Sequence, residues 1–181
     1  MSSPLTEEIR TQRLALIALT PESVRAEQAA EGNFHLLSQI IGCTIHSEWP
    51  PQHWEPHILV FILDQFAAHP SQIGWHRYVA LVEPGGTRTL IGCLGAFAKD
   101  PFTTCEIGYG ILPSFEGRGY ATEGTRALID HLRADRRITS FIAHTFPSLS
   151  RSIRVMEKCG LVFDGYGEEP GTIRYRLNLQ P

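Results

Sequence analysis

The sequence predicts an α+β (mixed α/β) domain: a twisted, mostly antiparallel sheet of about 6–7 strands flanked by about 4–5 helices. Three observations carry this reading. Short β-rich runs recur along the chain, among them Tyr78–Val82, Leu90–Phe97 and Cys105–Ile111. Helical spacing of apolar residues appears in Pro56–Ala68 and again at Ala121, Thr125, Leu128, Ile129 and Leu132. The 181 residues, 43% apolar and 19% charged, suit one domain over 1–181 with its own core.

Taken in order, Thr11–Leu19 alternates as a first strand. Thr20-Pro21-Glu22 follows as a helix start, with Thr as cap, Pro at the first helical position and an acid in the first turn. The chain then reads as mostly helical to about Gln72, interrupted by Ser47-Glu48-Trp49-Pro50-Pro51. Glu83-Pro84-Gly85-Gly86-Thr87 turns a hairpin between the next two strands. Cys105–Ile111 enters a Gly-rich turn and then a helix; Ile138–His144 is a strand. Ser150–Cys159 is a helix closed by Gly160, and Leu161–Tyr166 with Thr172–Leu179 form a last hairpin.

Composition narrows the function classes. A formal net charge of -3 lacks the basic surplus of a nucleic-acid-binding face. No run of about 18 apolar residues is present to span a membrane. The polar, acidic start Met1-Ser2-Ser3-Pro4-Leu5-Thr6 has no export-signal core, and Cys43, Cys93, Cys105 and Cys159 form no C-x-x-C pair. The expectation is a cytoplasmic protein with reduced thiols.

The stretch from Cys105 to Asp130 carries the chemistry. A strand feeding glycines at a helix start can hold a phosphate, because the first helical N–H groups lack intrahelical partners and glycine admits close approach. Gly117-Arg118-Gly119 completes neither a P-loop nor G-x-G-x-x-G, and many such turns only reverse the chain.

Three motifs in order resemble the GNAT N-acetyltransferases, in the branch similar to ribosomal-protein N-terminal acetyltransferases. They are Thr11-Gln12-Arg13-Leu14-Ala15-Leu16, Glu116-x-x-Gly119-x-Ala121 after Ile107–Pro113, and Ser152-Ile153-Arg154-Val155-Met156-Glu157-Lys158-Cys159-Gly160-Leu161. The resemblance implies a GNAT fold and acetyl-CoA as co-substrate. It also implies that the pantetheine arm pairs with Tyr109, Gly110 and Ile111. The diphosphate would then lie on Gly117, Arg118, Gly119, Tyr120, Ala121 and Thr122. Glu116 stands where the pattern has Gln or Arg, and Leu149 where an Asn often contacts the cofactor.

Direct transfer to an amine needs a base and a proton donor for the leaving thiolate. Glu106 is the candidate base: alternation puts it on the face of Gly108 and Gly110, opposite Cys105, Ile107 and Tyr109, although a structural strand Glu has the same pattern. Ser152 matches the helix-start serine of this branch and is the candidate acid; a capping hydroxyl is the structural alternative. Six of the eight histidines fall between His35 and His76, but His53-Trp54-Glu55-Pro56-His57 lacks H-E-x-x-H spacing, so no zinc is expected. Trp49, Trp54, Trp75 and Tyr78 read as core aromatics or as walls of an acceptor pocket. In the family that the chain resembles, the helices after the first strand border the acceptor site, which implies Glu48 as a second contact for the amine.

The expected function is acetyl transfer from acetyl-CoA to a primary amine, a protein N-terminus or a small molecule, by direct attack in a ternary complex. The alternative is a non-catalytic acyl-CoA-binding or sensor domain. Neither reading needs nucleic acid or membrane, and a homodimer is compatible with both.

Overall fold

The computed structural model describes residues 6–99 and 103–179; the stretch 1–5, read above for an export signal, lies outside them. The described residues form β1 (Ile9–Arg10), β2 (Leu14–Ala18), α1 (Pro21–Gln28), α2 (His35–Ile41), β3 (Thr44–Ile45), α3 (Pro56–Ala68), β4 (His76–Val82) and β5 (Arg88–Ala98). Then come β6 (Thr104–Ile111), α4 (Tyr120–Leu132), β7 (Ser140–Thr145), α5 (Ser150–Lys158), β8 (Val162–Tyr166) and β9 (Ile173–Asn178). All the strands belong to one sheet in the order β1-β2-β4-β5-β6-β7-β9-β8, with β3 against β5.

The seven longer strands are those the alternation predicts. The two-residue β1 and β3 are additional, because two residues show no period. The sheet is mostly antiparallel; β6 with β7 and β3 with β5 are its parallel pairs. The five helices fall within the expected number. Thr20 caps α1 in a reciprocal box with Ser23 behind Pro21, as the local sequence dictates. In α3, Leu59, Ile62 and Phe66 bury one stripe under the same Pro-first start.

Each face of the sheet holds its own core. On one face α1, α2 and α3 bury Val24, Leu37, Ile41, Leu59, Ile62 and Phe66 against Ala15, Tyr78, Ala80, Leu90 and Cys93. On the other, α4 and α5 bury Leu128, Ile129, Leu132 and Met156 against Leu14, Leu16, Val79, Ile91 and Phe141. Gly124 lets α4 sit close, since a Cβ there would lie 2.7 Å from Leu94 Cδ2. The α1–α3 core takes no residue from β7, β9 or β8. On that face these strands carry Ile142 and Val162 among charged side chains: Arg174 and Arg176 both donate to Asp164 Oδ2 at 2.8 Å.

Candidate active site

The site begins where the sheet parts. β6 and β7 run parallel and, among the described residues, pair only from Thr104↔Ser140 to Glu106↔Ile142. Beyond Glu106 the chain of β6 continues to Ile111 along β5 alone. Leu112 N–H donates to Ile91 O and Thr104 O accepts from Lys99 N–H, so the even-numbered backbone groups of β6 face β5. By alternation those of Ile107, Tyr109 and Ile111 face the gap. Gly110 lies opposite Cys93 and turns its backbone to β5. Its place in the site comes from its missing side chain: a Cβ there would lie 3.5 Å from Pro51 Cβ.

At the end of β6, Pro113–Phe115 forms a 3-10 turn and leads to the glycines. Gly117 and Gly119 have φ of 74° and 84°, the left-handed region that glycine adopts without strain. Gly119 is the N-cap of α4, and the first i→i−4 bond of that helix is Glu123 N–H to Gly119 O. The N–H groups of Tyr120, Ala121 and Thr122 therefore have no partner within the helix. A Cβ on Gly117 would meet nothing within 4 Å, so the cradle is open to an anion. Arg118 stacks its guanidinium over Phe115 at 5.9 Å.

The first strand braces this cradle. Thr11 Oγ1 donates to Glu123 Oε1 at 2.6 Å, and Arg13 donates from its backbone N to Oε1 and from Nε to Oε2. Arg13 Nη1 also donates to Arg118 O at 3.0 Å, and its guanidinium lies 4.5 Å from the Tyr120 ring centre. Burial opposes the Glu123 charge, but the bonds from Thr11 and Arg13 hold its carboxyl below the ordinary range. The Thr-x-Arg motif at the start of the chain thus fixes the first turn of α4.

Glu106 stands at the parting point. Its Oε1 accepts from His144 Nδ1 at 2.8 Å, and Lys99 Nζ lies 3.2 Å from Oε2. Lys99 in turn donates to Glu168 at 2.7 Å. His144 Nε2 is buried with no partner among the described residues. His144 and Lys99 were not singled out by sequence; the register that brings β7 beside β6 joins His144 to Glu106 across a separation of 38 residues.

Ser152 is not a cap, since the N-cap of α5 is Leu149. Its backbone O accepts from Tyr109 OH at 2.9 Å and its hydroxyl lies 3.1 Å from the same phenolic oxygen, across the gap between β6 and α5. Burial pushes the Tyr109 phenol up to about 12, so it remains an O–H donor at neutral pH. Glu116 accepts from Arg151 Nη1 at 2.6 Å, so its carboxylate is ion-paired beside the glycine turn. Glu48 is held by Ser114, whose hydroxyl and backbone N–H both donate to it, so it braces the 3-10 turn.

A cavity of about 240 Å³ lies on the Glu106 face, between α3 with its leading loop and the sheet. Trp54, Ile58, Phe61 and Phe97 wall it, and Gly95, Gly108 and Gly110 form its floor. Of the four aromatics, Trp54 reaches this cavity. Trp75 packs in the opposite core, and Trp49 and Tyr78 are buried behind the loop. There Glu27 accepts from Trp49 Nε1 at 3.0 Å, Trp54 Nε1 at 2.8 Å and Tyr78 OH at 2.7 Å. Burial raises the Glu27 carboxyl against the pull of those three donors. The histidines are dispersed: no group of three or more His, Cys, Asp or Glu suited to a metal occurs among the described residues.

Comparison with known proteins follows the same outline. The fold matches an acetyltransferase from Agrobacterium tumefaciens at TM-score 0.64 and 22% identity, covering 96% of this chain and 95% of that one. It matches the ribosomal L7/L12 α-N-protein acetyltransferase RimL, in complex with coenzyme A, at 0.63 and 19%, covering 96% and 98%. Spermidine N-acetyltransferase from Vibrio cholerae, with CoA and spermine, matches at 0.60 and 16%, covering 93% and 96%. The family model described as acetyltransferase (GNAT) domain matches residues 27–162. That match runs from the helix that carries Glu27 to the strand after α5, across the parted strands and the cradle alike, and the chain therefore belongs to the GNAT family of acetyltransferases.

Proposed function

We propose that this acetyltransferase moves an acetyl group from acetyl-CoA to a primary amine by direct attack within a ternary complex. The observation that carries the reading is the parting of β6 from β7 at Glu106, with an open glycine cradle at one end and a cavity on the Glu106 face. The residues fit the co-substrate: backbone groups of Tyr109 and Ile111 border the gap, and the N–H groups of Tyr120, Ala121 and Thr122 with those of Gly117, Arg118 and Gly119 suit a diphosphate. Bound there, acetyl-CoA supplies a thioester whose carbonyl carbon the amine attacks, with loss of the thiol.

Glu106 takes the proton from the incoming ammonium at its carboxylate, held in place by His144 and Lys99. A backbone N–H near Ile111 donates to the carbonyl oxygen as negative charge develops on it. Tyr109 OH and Ser152 Oγ, already joined across the gap, hold the proton that the departing sulfur needs. A covalent acyl-enzyme is disfavoured. Cys93 is the cysteine at the cavity, and burial pushes its thiol up, away from the thiolate that attack requires.

The test is a turnover screen of the purified chain with acetyl-CoA against amines and N-terminal peptides, paired with calorimetric titration of CoA. Acetylated product with a 1:1 CoA stoichiometry is expected. CoA binding with no product from any amine would instead identify an acyl-CoA-binding domain.

A further inference from the structure

We infer that the acceptor is a primary amine carrying one compact apolar group, a single ring or branched alkyl on a short arm, and no second positive charge. This rests on the acetyl-transfer reading above and names its acceptor class.

Size and lining point the same way. An apolar cavity of ~150 Å³ holds a benzene, so the 240 Å³ here admits one ring and a short arm. Trp54, Ile58, Phe61 and Phe97 offer it aromatic and aliphatic surface, with Phe61 and Phe97 meeting edge to face at 5.5 Å. No carboxylate lines the cavity among the described residues, so no negative charge inside would pair with a second ammonium. His76 leans over Gly95, where a Cβ would come within 2.2 Å of Nδ1; burial holds it neutral, and it adds a polar contact without charge.

Register then places the amine. His76, Gly95 and Gly108 lie in one cross-strand row, and Phe97 faces Glu106 in the next row on the same face. Two residues along a strand span roughly 6.6 Å, so a ring over Gly108 puts an amine on a short arm within reach of Glu106. Lys99 guards that mouth, 5.6 Å from the Phe97 ring centre and 3.2 Å from Glu106.

Gly108 supplies the test. A Cβ at Gly108 meets nothing within 4 Å, so Gly108→Leu extends a side chain from the floor into the cavity. Rates with acetyl-CoA would be compared for phenethylamine, a peptide with N-terminal Phe, a peptide with N-terminal Ser, and spermidine. Binding of phenethylamine to the CoA-free protein would be measured by calorimetry, and folding of the variant by thermal melting. We expect kcat/KM for the phenyl-bearing amines to exceed that for spermidine and the Ser peptide at least tenfold. The ratio of phenethylamine to the Phe peptide tells a free amine from a protein N-terminus. Gly108→Leu should melt like the parent, bind CoA, and lose at least tenfold in phenethylamine affinity. Preference for spermidine or the Ser peptide, or unchanged phenethylamine binding in Gly108→Leu, overturns the inference while leaving acetyl transfer standing. Phenethylamine binding that Gly108→Leu removes, without turnover of any amine, upholds the cavity assignment and overturns acetyl transfer instead.

Discussion

Glu106 and His144 form a hydrogen-bonded pair at the point where β6 and β7 part, Oε1 to Nδ1 at 2.8 Å. An ionised carboxylate only accepts, so Nδ1 carries the proton between them. Lys99 holds the second oxygen at 3.2 Å. The carboxylate is thus fixed in direction at the last shared row of the two strands.

Glu106→Gln should lower kcat by on the order of 10²-fold, the usual worth of a positioned general base, with CoA affinity unchanged. An unaltered rate removes Glu106 as the base. His144 acts through Glu106, so His144→Leu should reduce kcat about tenfold with little change in KM. His144→Asn, whose amide N–H can replace Nδ1–H, should recover most of that loss. Equal losses in both variants would reduce His144 to a packing role.

Gly119→Val tests the cradle. The residue has φ of 84°, where a β-branched side chain is strained by about 1–3 kcal/mol. The nearest protein atom to a Cβ there is Arg13 Nη2 at 3.5 Å, ordinary contact, so the fold has room for it. The space lost is that before the N–H groups of α4. CoA affinity should fall at least a hundredfold in a protein that still melts cooperatively. Native affinity by calorimetry would reject the cradle assignment.

Arg151→Ala should weaken CoA binding several-fold by unmasking the Glu116 carboxylate beside the cradle, and Arg151→Ala with Glu116→Gln should restore it. Arg151 is 77% and Glu116 43% exposed at the side chain, so stability should hardly change. The effect should fade as salt is raised from about 0.01 to about 0.5 M. No difference at low salt would show that Glu116 faces away from the bound diphosphate.

Much of this was legible in the chain. Pro21 and Pro56 at helix starts, the alternation through β4, β5 and β6, and the two positive-φ glycines are local signals read by local rules. Long-range geometry hid the rest. Thr11 and Arg13 contact Glu123 over 112 and 110 residues, and no spacing announces that brace. Ser152 was read from position in a motif and Glu48 from its place after the first strand, whereas their partners Tyr109 and Ser114 are set by how a strand and a turn meet in space. Trp49, Trp54 and Tyr78 read alike as aromatics, yet Glu27, a residue without any motif, gathers all three, with two behind the wall and one lining it.

His76 sets an acid limit on stability. Burial lowers its pKa from 6.5 to about 4, so the folded state holds the neutral ring where the unfolded chain would protonate. Its contribution is complete above pH 6.5 and is lost as pH falls toward 4. At 1.36 kcal/mol per pKa unit the loss is at most about 3 kcal/mol. His76→Gln should flatten the fall in melting temperature between pH 6.5 and 4, and an unchanged slope would show that the ring is free to protonate in the folded protein.

Glu27 works in the opposite sense. Burial raises its carboxyl above 4.5, so the folded state favours the protonated form. Its contribution is complete below pH 4.5 and declines as pH rises through the raised value. Glu27→Gln keeps an acceptor for the two indole N–H groups and should remove this decline. Glu27→Ala leaves Trp49, Trp54 and Tyr78 without their acceptor in the interior, at a cost on the order of 3 kcal/mol. Because Trp54 walls the cavity, that variant should also raise KM for the amine more than it lowers kcat. Urea melts across pH 4 to 8, run beside amine kinetics, check both halves: a stability loss in Glu27→Ala with an unchanged KM would separate the buried carboxylate from the cavity wall.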